Sequence, residues 1–169
     1  LFSMKVFIPY LQSLALKDMI VISPDAGGVE RARAFAKRLG VSLAIIDKRR
    51  EAANEAKAMN IIGDVVDKVC FVVDDMIDTA GTLVEGTAAL LEAGAREVHA
   101  CCSHAVLSGP AIERISKSEI KSIVATNTIP VRDAMKNHPK IKILSVAPLL
   151  GEAILRINQE TSVSSLFDL

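Results

Sequence analysis

The stretch FVVDDMIDTAGTL, Phe71 to Leu83, joins an apolar run to three nearby acids and then to small hydroxyl and glycine residues. Its first residues have the continuous apolar character of a strand that is buried on both faces of a parallel sheet. Its last residues have the composition of a turn that leads into a helix. Acidic side chains this close in sequence repel one another, so the segment must gain a compensating interaction.

The segments on either side of this stretch alternate between short apolar strands and helices. Such alternation is typical of βαβ units, which form a parallel sheet. We therefore predict an α/β fold in which helices cover both faces of a three-layer, mostly parallel sheet. The predicted strands are 19–23, 42–47, 68–73, 97–104, 121–126 and 141–146, and the predicted helices are 27–40, 82–95, 109–118 and 147–158. An N-terminal helix precedes them, and its apolar side consists of Val6, Phe7, Tyr10, Leu11 and Leu14.

Length and composition suit one soluble domain over residues 1–169. The 20 basic and 20 acidic residues cancel, so no charge excess favours nucleic acid or an anionic membrane as a partner. The longest apolar runs are too short to span a bilayer. Cysteines occur only in apolar runs, which predicts small buried residues and a reducing, cytoplasmic location; they are Cys70, Cys101 and Cys102.

The loop DTAGT, residues 78–82, lies between the strand that ends near residue 73 and the helix that begins near Thr82. In an open parallel sheet, ligands bind beyond the carboxyl ends of the strands, next to helix N-termini. The exposed amides of a helix N-terminus favour an anion, above all phosphate. The hydroxyls of Thr79 and Thr82 add donors, and Gly81 allows the backbone to approach closely. The loop is therefore predicted to bind a phosphate group.

Asp74 and Asp75 lie where the predicted strand ends, just before this loop. Their carboxylates can accept hydrogen bonds from neighbouring sugar hydroxyls. A phosphate at one end and a pair of hydroxyls at the other are the groups of ribose 5-phosphate. We therefore expect both carboxylates to face a pocket and not to be turned into ion pairs elsewhere. The alternative is an ordinary acidic turn in which Asp78 or Thr79 caps the helix.

The segment VVDDMIDTAGTL resembles the signature with which type I phosphoribosyltransferases bind phosphoribosyl pyrophosphate. Beyond it, most of the chain from Met19 to Phe167 resembles the C-terminal half of the ribose-phosphate pyrophosphokinase family, which implies a type I phosphoribosyltransferase-like fold. Five stretches carry the resemblance in the order that the family has them: VISPDAGGVERAR, AIIDKRR, VVDDMIDTAGT, HAVLSGPAIERI and EAILRINQETSVSSLF. The residues that the resemblance assigns to ribose 5-phosphate are Asp74, Asp75, Asp78, Thr79, Ala80, Gly81 and Thr82.

The resemblance implies transfer of the diphosphoryl group of Mg-ATP to the anomeric hydroxyl of ribose 5-phosphate, which yields phosphoribosyl pyrophosphate and AMP. Such transfers need charge neutralisation and alignment more than covalent help. The resemblance also implies Mg²⁺ as cofactor, ATP and ribose 5-phosphate as substrates, and phosphate or ADP as regulators. It implies a homo-oligomer, which in the family is a hexamer.

Two further segments receive roles from the resemblance. In SPDAGG, Asp25 matches a family Mg²⁺ ligand, while Gly27 and Gly28 would leave amides free for the diphosphate region. In DKRR, Lys48 and Arg50 are identified as catalytic, since they can neutralise the group in transfer. Without the resemblance, Asp25 would more often be a helix cap, and KRR would more often be a solvated charge cluster.

The C-terminal segment TSVSSLF, residues 161–167, is similar to a family segment that binds regulatory phosphate or nucleotide between subunits. Ser162, Val163 and Ser164 fit that pattern, because their hydroxyls and amides are available as donors. Ser165 stands where the family commonly has Tyr. Without the resemblance, the segment would be interpreted as a terminal tail.

Full members of the family have two similar halves, and the resemblance covers only the second. We therefore expect a truncated chain that binds ribose 5-phosphate weakly and makes little or no product alone. Two other classes stay open. A phosphoribosyltransferase would use the same loop together with a nucleobase, and a non-catalytic regulator would keep the fold in order to sense nucleotides.

Overall fold

The computed structural model describes residues 1–49 and 58–167. Its strands alternate with helices along the chain, as the sequence predicts. The helices are α1 (Met4–Ser13), α2 (Val29–Leu39), α3 (Gly81–Glu92), α4 (Ala111–Lys117), α5 (Asp133–Lys136) and α6 (Ala147–Asn158), followed by a 3₁₀ turn at Ser164–Leu166. The strands are β1 (Met19–Ser23), β2 (Ser42–Arg49), β3 (Ala58–Ile62), β4 (Val69–Ile77), β5 (Glu97–Ala105), β6 (Ser122–Thr126) and β7 (Ile141–Leu144).

These strands form one sheet in the order β3-β2-β1-β4-β5-β6-β7. Neighbouring strands are parallel except for β2 and β3, which pair antiparallel. The predicted mostly parallel α/β fold is therefore confirmed. The direction of chain progress reverses between β1 and β4, and sheets of this kind bind ligands beyond the carboxyl ends of the strands at such a point.

Helices cover both faces of the sheet. On one face, α1 and α2 bury Phe7 and Phe35 against Phe71 of β4. On the other face, Leu90 of α3 packs in a second cluster that contains Val72. Phe71 and Val72 fall in different clusters because successive side chains of a strand point to opposite faces. Each large apolar side chain that is buried in this way stabilises the fold by about 2–3 kcal/mol.

The strand that leads into the candidate loop is longer than predicted. β4 continues to Ile77, past both acids, because its parallel pairing with β5 extends through Met76 opposite His104 and Ile77 opposite Ala105. Asp74 and Asp75 therefore lie within the strand, not at its end. The loop itself is shorter, since α3 begins at Gly81.

Two elements had no clear pattern in the sequence. The edge strand β3 and the four-residue helix α5 were not predicted. Gly63 follows β3 with φ +123°, and a Cβ at this position would lie 2.7 Å from the Cβ of Ala44. Only glycine can occupy that conformation at so close a distance from β2, so Gly63 fixes the position of the edge strand.

The three cysteines are buried and free, which confirms their prediction as small core residues. Burial raises the pKa of Cys70 to about 11 and that of Cys102 to about 12. Within residues 1–49 and 58–167, no helix has the length and apolar character needed to cross a membrane.

Candidate functional site

A cavity of about 320 Å³ lies at the carboxyl end of the sheet, between the segment after β1 and the loop that precedes α3. Its floor is formed by residues of β4 and β5, and its rim is acidic and hydroxyl-bearing. The lining residues include Pro24, Asp25, Asp74, Asp75, Asp78, Thr79, Ala80, Gly81, Thr82 and Cys101. The structure thus brings together every residue that the sequence assigns to ribose 5-phosphate.

Arg31 of α2 forms an ion pair with each of the two acids. Its Nη1 lies 3.1 Å from Oδ1 of Asp74, and its Nη2 lies 2.7 Å from Oδ2 of Asp75. The amide of Asp75 also donates to Oδ1 of Asp74 at 2.8 Å. These contacts supply the compensation that the acidic sequence requires, but both carboxylates form ion pairs with Arg31, whereas we expected carboxylates that face a pocket and are not turned into ion pairs elsewhere. Asp74 and Asp75 nevertheless line the cavity, and each carboxylate has a second oxygen that can accept hydrogen bonds.

The two acids differ in environment. The side chain of Asp74 is 30% exposed and that of Asp75 is 62% exposed. Burial raises the pKa of Asp74 from its ordinary value of 3.8 to about 6, and the neighbouring Asp75 adds to the rise, while the amide of Asp75 and the guanidinium of Arg31 oppose it. Asp74 therefore takes up a proton as the pH falls through about 6 and then accepts fewer hydrogen bonds from a ligand.

The loop before α3 has an unusual backbone at Ala80. This residue precedes the helix with φ 59° and ψ 8°, in the left-handed region that non-glycine residues rarely adopt. The N-cap position of α3 is occupied by Ala80, which makes no side-chain cap hydrogen bond, so neither Asp78 nor Thr79 is the N-cap residue that the alternative expected. The first amides of an α-helix have no partner within the helix and can donate to a bound anion.

The segment that runs from the end of β5 into α4 contacts this loop through three hydrogen bonds. The amide of Leu107 donates to the carbonyl of Ile77 at 3.0 Å, and the hydroxyl of Ser108 donates to Oδ1 of Asp78 at 2.5 Å. The guanidinium of Arg114, at the other end of this segment, donates to the carbonyl of Thr79 at 3.0 Å. Leu107, Ser108 and Arg114 all belong to the stretch HAVLSGPAIERI, which the sequence analysis singled out. It assigned no role to these three residues.

The segment after β1 is built around Asp25. Its Oδ1 accepts the amide of Gly28 at 2.9 Å, and its carbonyl accepts the hydroxyl of Ser23 at 2.7 Å. The amide of Gly28 is therefore engaged, contrary to the expectation that it is free for an anion. A Cβ on Gly28 would lie 3.0 Å from Oγ of Ser23, so the turn favours glycine there. The binding roles of Gly27 and Gly28 stay predictions.

Lys48 belongs to β2, where it is opposite Met59 of β3. The side chain of Lys48 and all of Arg50 lie outside the described residues. Their catalytic roles therefore stay predictions.

The predicted regulatory segment is anchored to α6. Arg156 of that helix donates to the carbonyl of Ser162 at 3.2 Å and to Oγ of Ser165 at 2.5 Å. The amide of Ser164 donates to Oγ of Ser162 at 3.1 Å. These residues do not line the cavity among the described residues. The predicted roles of Ser162, Val163 and Ser164 in binding a regulator stay predictions.

Known proteins resemble the chain over most of its length. A protein of Arabidopsis thaliana named ribose-phosphate pyrophosphokinase 2, chloroplastic, is 57% identical over 166 residues, which cover 96% of this chain and 41% of that protein. A crystal structure of phosphoribosylpyrophosphate synthetase from Mycobacterium smegmatis has a TM-score of 0.85 and 36% identity, covering 94% of this chain and 51% of that one. A crystal structure of purine phosphoribosyltransferase from Pyrococcus horikoshii Ot3 shares the fold, with a TM-score of 0.52 and 20% identity over 85% of this chain and 79% of that chain.

The chain spans 41% to 49% of the length of curated relatives that it matches. Its type I phosphoribosyltransferase-like fold, with the strand order and acidic loop described above, agrees with these likenesses. The family described as the phosphoribosyl synthetase-associated domain matches residues 48–168. The chain therefore belongs to the phosphoribosyl synthetase-associated domain family.

Proposed function

We propose that the chain provides the ribose 5-phosphate site of a ribose-phosphate diphosphokinase. In this proposal the 5-phosphate binds to the loop of residues 78–82, and the two ring hydroxyls bind to Asp74 and Asp75. The observation that carries it is the cavity of about 320 Å³, which has carboxylates at one side and an uncapped helix N-terminus at the other. The relatives named ribose-phosphate pyrophosphokinase support the reaction class.

In the proposed reaction, the anomeric hydroxyl oxygen of ribose 5-phosphate forms a bond to the β-phosphorus of ATP, and the hydroxyl proton is released to solvent. The bond between that phosphorus and the oxygen that bridges to the α-phosphate breaks, and AMP leaves. Lys48 and Arg50 would neutralise the charge on the transferred diphosphoryl group, and the acidic pair would hold the sugar in line. Because the relatives are longer than this chain, the complete activity is proposed for the longer protein.

Asp25 is the residue proposed to hold Mg²⁺. Its carboxylate lines the cavity, and only one of its oxygens is used by the amide of Gly28. Among the described residues there is no group of three or more His, Cys, Asp or Glu that could bind a metal alone. One carboxylate suits Mg²⁺, which usually keeps several waters and binds through one or two carboxylates together with substrate phosphates. When bound, such an ion neutralises phosphate oxygens of ATP.

The remaining predictions concern partners. A regulatory phosphate or ADP would bind at Ser162, Val163 and Ser164, where the hydroxyls and amides of an anchored turn offer donors. A homo-oligomer and a cytoplasmic location complete the proposal. We expect the 169-residue polypeptide alone to bind ribose 5-phosphate weakly and to form little product, since it corresponds to less than half of the relatives' length.

Calorimetric titration of the 169-residue chain with ribose 5-phosphate tests the site. Asp75→Asn and Thr82→Val should each weaken binding about tenfold, because each removes one hydrogen bond to a charged group. Asp133→Asn is the control, since Asp133 has a 96% exposed side chain on α5 outside the cavity. With inorganic phosphate as ligand, only Thr82→Val should have an effect.

Ribose 5-phosphate affinity that is equal in wild type, Asp75→Asn and Thr82→Val would contradict the proposed site. The reaction class is tested separately with Mg-ATP in the longer protein, where AMP should appear in equal amount to phosphoribosyl pyrophosphate. Release of pyrophosphate that depends on an added nucleobase would instead indicate a phosphoribosyltransferase.

A further inference from the structure

The last residue of β4 and the two residues that follow it are each held by a hydrogen bond from the same neighbouring segment. Ile77 is held through its carbonyl by the amide of Leu107, Asp78 through its carboxylate by Ser108, and Thr79 through its carbonyl by Arg114. The neighbouring segment runs from the end of β5 into α4. Since the contacts are consecutive, the backbone direction of this part of the loop is fixed from outside the cavity.

The contact from Arg114 determines where the next amide points. The peptide between Thr79 and Ala80 is trans, so its carbonyl and its N–H point in opposite directions. Arg114 binds the carbonyl but is not among the residues that line the cavity in the described part of the chain, whereas Thr79 and Ala80 are. The carbonyl of Thr79 therefore points toward Arg114, and the amide of Ala80 points to the opposite side of the peptide.

Ala80 has a backbone conformation that is unfavourable for a residue with a Cβ. Its φ of 59° lies in the left-handed region, where the Cβ of an ordinary residue crowds the backbone. Such conformations persist only when surrounding contacts impose them, and they are often found at ligand sites. A Cβ at Gly81 would lie 3.3 Å from Nη1 of Arg114, so the guanidinium also packs directly against the start of α3.

We propose that Arg114 is a positioning residue that turns the amide of Ala80 toward the cavity, where it donates to the phosphate monoester of the substrate. The inference rests on the proposed function for the identity of that substrate. Arg114 does not touch the ligand in this scheme; it acts by holding the carbonyl of Thr79.

The test uses Arg114→Met, Arg114→Lys and, as the matched control, Lys117→Met in the 169-residue chain. Lys117 is an exposed cation on the same helix, and its partner is Glu113 of that helix. Two-dimensional amide spectra give the affinity for ribose 5-phosphate and for inorganic phosphate, and the H–N to Hα coupling of Ala80 reports its φ. Arg114→Met should weaken both ligands about tenfold, the effect of losing one hydrogen bond to a charged group.

In Arg114→Met, the coupling of Ala80 should also change, and the downfield shift of its amide on phosphate binding should be reduced. In Arg114→Lys, both changes should be smaller than in Arg114→Met, because lysine keeps a donor that can reach the carbonyl of Thr79. Lys117→Met should bind both ligands as wild type does. Arg114 is exposed, so its replacement removes no buried group.

Unchanged affinity and unchanged coupling in Arg114→Met would overturn the inference. If Arg114→Met changes the coupling and weakens inorganic phosphate, while wild type binds ribose 5-phosphate no more tightly than inorganic phosphate, the positioning role is supported and the proposed sugar site fails. If wild type binds neither anion, the positioning role and the proposed function both fail.

Discussion

Replacement of Arg31 by Met should destabilise the protein in a manner that depends on pH. The guanidinium lies 3.1 Å from Asp74 and 2.7 Å from Asp75, so its removal leaves two adjacent carboxylates without their cation. A pair of unit charges at 4 Å interacts with about 4 kcal/mol at an effective dielectric constant of 20. Because Asp75 is 62% exposed, solvent screens most of its share, and we expect a loss of about 1–2 kcal/mol in unfolding free energy at pH 7.5.

The sign of the pH dependence follows from Asp74. Its pKa in the folded protein is raised to about 6, so in wild type this group makes the fold less stable as the pH rises from about 4 to 6. In Arg31→Met, ionisation of Asp74 loses the favourable guanidinium, and its pKa should rise further. The difference in stability between the two proteins should therefore be small at pH 4 and largest above pH 7.

Urea unfolding at pH 4 and pH 7.5, together with a carboxyl-carbon NMR titration of Asp74, checks this expectation. Arg33→Met on the same helix is the control, because Arg33 is exposed and, in the part of the chain that the structure describes, the ion pairs of Asp74 and Asp75 are made with Arg31. Combining Arg31→Met with Asp74→Asn should remove much of the pH dependence. An unchanged pKa of Asp74, or an equal loss of stability at both pH values, would refute the electrostatic explanation.

Three further predictions concern the scaffold. Gly63→Ala should lower the free energy of unfolding in urea by about 3 kcal/mol, because the new Cβ adds strain at a positive φ and lies 2.7 Å from the Cβ of Ala44. By contrast, Gly151→Ala in the open middle of α6 should raise it by about 0.5 kcal/mol. Lys140→Met should cost about 1–2 kcal/mol, because the ammonium of Lys140 donates to three carbonyls at the end of α4, and thermal unfolding measures the loss. The three buried cysteines should not react with a disulfide reagent at pH 8 until urea unfolds the protein, since burial raises their pKa values; rapid labelling of the native chain would contradict this.

The local sequence pattern was sufficient to predict the features of the fold that depend on residues close together in the chain. The run that begins at Val69 is apolar on both faces, and only a strand covered by helices on both sides of a sheet buries it completely. The left-handed residue at Gly40, with φ 69°, ends α2 where the sequence places a glycine. Such features depend on neighbours within a few residues, and the sequence displays those neighbours directly.

Local pattern was insufficient at the edges and ends of elements. β4 extends to Ile77 because β5 continues to pair with it, and that pairing partner is far away in sequence. The amide of Gly28 is occupied because Asp25 turns back toward it, although the sequence suggested a free donor. Both outcomes depend on side-chain and backbone geometry that composition leaves open.

The sequence by itself determined that a buried strand leads into an acidic, hydroxyl-rich loop at the start of a helix, and this composition is the basis for predicting a phosphate and a polyol as ligands at this edge of the sheet. Only the tertiary structure decided which cationic side chains contact the acids and the loop. Arg31 reaches the acids from α2, and Arg114 reaches Thr79 from α4. Each contact joins residues that are far apart in the chain, because hydrogen bonds and ion pairs depend on distances of a few ångströms that sheet order and helix packing set, and no spacing in sequence encodes them.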